Sequence, residues 1–81
     1  MNEQKQNELA EHLLDSMLDI VEQYRLIHPQ QRHGQCVFNV LHAYYPEFAE
    51  SIRATANDPF YNDAIVPTTV LLFDKYLKGR A

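Results

Sequence analysis

Apolar positions in this chain recur every three or four residues, and no segment alternates between apolar and polar in the two-residue rhythm of a strand. That pattern predicts an all-α domain of about four helices, near residues 3–26, 35–45, 46–56 and 66–78, in a single domain spanning 1–81. In the first segment, Leu9, Leu13, Leu14, Met17, Ile20, Val21 and Tyr24 fall within one arc of about 140° when the chain is wound at 100° per residue. The opposite arc holds Glu8, Glu11, Asp15, Asp19 and Glu22, with no Lys or Arg between Lys5 and Arg25. Carboxylates three or four apart repel by a few tenths of a kcal/mol per pair. The acidic arc therefore opposes the helix slightly, and burial of the apolar arc must offset it.

His28-Pro29 ends that helix, because the residue before a proline avoids helical backbone. After the polar connector Pro29 to Gly34, Val37, Val40, Leu41 and Tyr44 form the inward stripe of the second helix. Arg32, Gln35, Asn39 and His42 share its other side, a face rich in donors and acceptors. Pro46 opens the third helix, a position proline favours, and Phe48, Ile52, Ala49 and Thr55 are its expected buried residues. Asn57-Asp58-Pro59 makes a stop and turn. Phe60 and Tyr61 then plug the end of a small core, with the tyrosine hydroxyl at the surface. The last helix, from about Pro67 to just before Gly79, is apolar most of the way round. With Val70 turned inward, Leu72 and Tyr76 are expected to stand exposed and to offer a contact for a weak homodimer or another subunit. The expected core is Leu13, Met17, Ile20, Val37, Leu41, Tyr44, Phe48, Ile52, Phe60, Val70 and Leu77.

Composition narrows the chemistry. A hydrophobic content of 46% is that of a globular chain rather than a disordered one. Seven basic against eleven acidic residues leave a net charge of −4, which disfavours nucleic acid as a partner. The second helix's polar face could sit against bases in a helix-turn-helix-like arrangement, but the cations that would contact phosphates are missing around it. No apolar run approaches a membrane span. The polar, acidic N-terminus is unlike a secretory leader, so a cytoplasmic location is expected.

Catalytic and metal chemistry finds little footing. Cys36 is the only cysteine, and with His33 or His42 it lacks the orienting third group a nucleophile needs. His12, His28, His33, Cys36 and His42 lack the paired spacing of a tetrahedral metal site. Two glycines cannot build a phosphate-cradling loop. No enzyme, metal or cofactor is expected. What remains is a small protein-binding module or inhibitor. It would dock a basic partner through Glu8, Glu11, Asp15, Asp19 and Glu22, and through Arg32, Gln35, Asn39 and His42. The alternative is a structural or accessory subunit that oligomerises through its last helix. Either polar face could also be a plain solvated surface.

The stretch Arg32 to Asp63 carries an ordered string of motifs: GQ-x-x-FN-x-L at Gly34–Leu41, Pro46, Ala49, IR-x-T at Ile52–Thr55 and DPFY-x-D at Asp58–Asp63. In this it resembles a group of small uncharacterised helical proteins of phages and bacterial genomes. That group has Gly between the Arg and Thr of the third motif, where this chain has Ala54. The resemblance implies a shared small helical fold and a phage-related setting, and it carries no activity with it.

Overall fold

The computed structural model describes residues 3–79. Four α-helices follow in order: α1 (Glu3–Ile27), α2 (His33–Tyr44), α3 (Pro46–Ile52) and α4 (Val66–Lys78). Two single-turn 3-10 helices, Pro59–Tyr61 and Asp63–Ile65, lie between α3 and α4. No strand occurs among the described residues. The small all-α bundle read from the periodicity is thus the fold. The long α1 lies against both α2 and α4, while the 3-10 turns close the end of the bundle over the start of α2.

The core forms where the apolar arcs converge. Ala10, Met17 and Val21 from α1 meet Cys36, Val37, Phe38, Val40 and Leu41 from α2. Phe48, Ala49 and Ile52 from α3 and Val66, Phe73 and Leu77 from α4 complete it. Among the expected core, Met17, Val37, Leu41, Phe48, Ile52 and Leu77 are buried, whereas Leu13, Ile20, Phe60 and Val70 pack against the core half-buried.

Tyr44 is a correction: it is 60% exposed. It is the last residue of α2, where Pro46 turns the chain into α3, so its side chain lies past the elements that cover the stripe. Tyr45 takes the inward role and sets its ring edge-on to Phe73 at 4.8 Å between centroids. The exposure expected of Leu72 and Tyr76 is also corrected. The buried face of α4 is centred on Phe73, and Val70 and Leu72 flank it on opposite edges, both half-buried. Tyr76 packs its ring on Phe48, at 5.1 Å between centroids. The residue that stands clear of the core on this helix is Leu71, 64% exposed.

The third helix is shorter than its apolar pattern predicts, and Thr55 is exposed rather than buried. The cause is Asp58. One of its carboxylate oxygens accepts from the Ala54 backbone N–H at 2.7 Å and the other from Phe60 N–H at 2.9 Å. Ala54 is thereby drawn into the left-handed region at φ 59°, a conformation that costs an L-residue about 1–2 kcal/mol. Glycine adopts it freely. Replacing Ala54 by Gly is therefore expected to stabilise the fold by about 1 kcal/mol, less whatever unfolded-chain freedom glycine adds. Urea denaturation checks this, and a loss of 1 kcal/mol or more would show that the turn is unstrained.

Candidate functional site

Two surfaces carry the candidate site, and the structure treats them differently. On α1, Glu8, Glu11, Asp15, Asp19 and Glu22 are all exposed along one side of a single unbroken helix. Glu22 pairs with Arg25 at 3.1 Å, and Glu8 accepts from the Gln4 amide at 3.4 Å. Among the described residues, Glu11, Asp15 and Asp19 form no ion pair. No ion pair therefore offsets these three charges among the described residues.

The same side holds two apolar residues, Leu18 at its edge and Leu26 within it, the latter 83% exposed. A shallow hollow lined by Glu22, Arg25, Leu26, Pro29 and Gln31 marks the C-terminal end of this face. Neither leucine stands out in the sequence, because the arc is defined by its charges. The signal was present, since Leu26 lies four residues after Glu22.

The polar face of α2 is occupied within the molecule. The Arg32 backbone N–H donates to the Gln35 side chain at 2.9 Å, one half of a capping box. The Arg32 guanidinium donates to the carbonyl oxygen of Phe60. The Asn39 amide donates to the Gln31 side-chain oxygen at 3.1 Å and to the Tyr24 hydroxyl at 3.3 Å, tying α2 to the connector and to α1. His42 places its Nε2 3.4 Å from a Glu50 carboxylate oxygen on α3 and stacks over Phe38. Arg32, Asn39 and His42 thus hold one element to another and Gln35 caps its own helix, while Arg32 and His42 stay exposed.

The motif string has the same internal logic. Gly34 lies against the first 3-10 turn so closely that a Cβ there would overlap the Pro59 carbonyl. Its backbone N–H donates to Asp63 at 2.9 Å, which satisfies an amide that the first turn of α2 would otherwise leave unpaired. Phe38 meets the edge of Phe60 at 5.9 Å between centroids. Asp58 fixes the turn and Leu41 is fully buried. Beside this junction, Phe38, Arg53, Ala54, Asp58, Phe60 and Tyr61 line a small cleft, with Tyr61 exposed at its rim.

Cys36 is fully buried. Burial pushes its thiol above the ordinary value, with the Arg25 charge pulling down and Asp63 adding to the rise. A thiol held that way is a poor nucleophile at neutral pH. His28 rests against the Tyr24 ring at 4.2 Å between centroids. Among the described residues, no three His, Cys, Asp or Glu side chains gather into a group that could hold a metal ion, and no helix is long and apolar enough to cross a membrane. No protein-family model, curated protein or solved structure matches this chain.

Proposed function

We propose that this chain is a small non-enzymatic binding module that docks a basic protein through the acidic face of α1. The observation that supports it most is the contrast between the two polar faces. The polar groups on the face of α2 have partners within the molecule, whereas Glu8, Glu11, Asp15 and Asp19 form the concentrated charge presented to solvent. Such a row speeds encounter with a cationic surface, and its reach is limited to about 8 Å at physiological ionic strength. The phage-like motif string makes a host nucleic-acid-processing protein the partner class to try first, since its basic channel ordinarily receives phosphates.

The test uses the parent protein and the triple variant Glu11→Gln, Asp15→Asn, Asp19→Asn as parallel immobilised baits in extract of the native cell. The parent is expected to retain a basic protein that rising salt releases. With three surface ion pairs worth about 0.2–1 kcal/mol each, affinity for the variant should fall on the order of tenfold and lose most of its salt sensitivity. The variant should fold as well as the parent or slightly better, because like-charge repulsion is relieved. Equal, equally salt-sensitive retention by both baits would overturn the reading. A second reading, an accessory subunit that joins an assembly through α4, is favoured by one observation: Leu71 stands exposed on the outer face of that helix.

A further inference from the structure

We infer that α1 pairs with a second copy of itself, antiparallel, along a line of residues beside the acidic face. Gln6, Leu9, Leu13, Ser16, Ile20, Gln23 and Ile27 follow one another at alternating spacings of three and four, the heptad seam of a paired helix. The line runs along the border of α1's buried arc. Leu13 and Ile20 are half-buried against the core, while Ser16 and Gln23 are exposed. Leu9 is 47% and Ile27 73% exposed, so the seam is open at both ends and only partly covered by the bundle between them.

The sequence of the seam selects the partner and the direction. In one antiparallel register, Ile20 meets the partner's Leu9, Leu13 meets the partner's Ser16, and Gln6 meets the partner's Gln23. Apolar thus meets apolar or small, and amide meets amide. On the outer flank of the seam, the same register brings His12 opposite the partner's Asp19, twice by symmetry.

A shift by one heptad in one direction sets Asp19 against the partner's Asp19 and strands Leu13 opposite Gln23. A shift the other way opposes His12 to His12 and leaves Ile20, as well as Ile27, beyond the overlap. In a parallel pair each flank meets the side holding the partner's Ala10, Met17 and Tyr24, so Asp19 faces a tyrosine whose hydroxyl already accepts from Asn39 instead of a histidine. The overlap from residue 6 to residue 23 is about 27 Å long at 1.5 Å per residue. Leu13 and Ile20 have already buried much of their surface, so the contact belongs to the small, weak class of interface. Glu8, Glu11, Asp15 and Glu22 stay outside it, and Asp19 is the one residue the inference shares with the basic-partner reading.

Sedimentation velocity of the purified chain over a wide concentration range tests it. The mass is expected to rise from 9.5 kDa toward twice that value with concentration. Ser16→Arg places a long cation in the middle of the seam at a residue exposed in the monomer. It should raise the dissociation constant tenfold or more, with an unchanged circular dichroism spectrum. Asp19→Lys should weaken the dimer by a smaller factor, and adding His12→Glu should restore it. A parent that stays monomeric throughout overturns the inference. So does a Ser16→Arg variant that dimerises like the parent, or a dimer that Leu71→Lys abolishes. A double variant no tighter than Asp19→Lys alone overturns the antiparallel register.

Discussion

Gly34→Ala is expected to destabilise the protein by about 3 kcal/mol or more, at the upper end of what overpacking costs. The added methyl would overlap the Pro59 carbonyl oxygen and lie 2.8 Å from the Asp63 carboxylate oxygen. Neither neighbour can retreat cheaply. The Pro59 carbonyl accepts from the Asn62 backbone N–H at 3.2 Å, and Asp63 accepts from the backbone of Gly34 itself. Relief requires the 3-10 turn to move off α2, which also uncouples Phe60 from Phe38 and Arg32 from the Phe60 carbonyl. A small domain has a total stability of roughly 4–12 kcal/mol at 0.05–0.15 kcal/mol per residue, so this one change removes a large part of it. Thermal unfolding followed by circular dichroism measures the effect. A loss under about 1 kcal/mol would mean that the turn does not rest on Gly34 as described.

The helices were legible because their apolar residues recur every three or four positions, and that period alone reveals a helix. What escaped is whatever a side chain decides from outside the pattern. The end of α3 depends on Asp58 capturing the Ala54 N–H, against an apolar period that would carry the helix further. A glycine at that position would have marked the stop, since glycine favours the left-handed conformation, but this chain has Ala54 there. Tyr44 sits mid-stripe by angle, yet lies at the end of α2 with nothing above it.

The second helix's polar face shows the larger limit. A count of donors on Arg32, Gln35, Asn39 and His42 cannot say where their acceptors lie. Arg32 finds its acceptor 28 residues away and Asn39 finds one 15 residues away. The acidic face of α1 needed no such information. Its charges are spaced on one helix with no cation between them, so their exposure follows from local sequence, and the structure places all five in solvent.

Phe73→Ala is expected to cost about 3–5 kcal/mol, the range for removing a fully buried aromatic ring. Phe73 has no exposed surface, and it is the centre of an aromatic cluster in which Tyr45, Phe48 and Tyr76 lie 4.8, 5.3 and 6.3 Å away between ring centroids. Edge-on, tilted and stacked ring pairs at such distances add about 0.5–1.5 kcal/mol each beyond the area they bury, so the loss should fall high in that range. The sequence did not single out Phe73, because a helix apolar on several sides offers no unique inward face. Lys75, Lys78 and Thr68 mark the outer side and would have located it. Leu71→Ala is the internal control. It removes a similar apolar group from the outer face of the same helix, where most substitutions shift stability by no more than about 0.5 kcal/mol. Urea denaturation of both variants measures the difference directly. If the two losses are equal, α4 does not dock through the face centred on Phe73, and the exposed position of Leu71 would have to be reassigned with it.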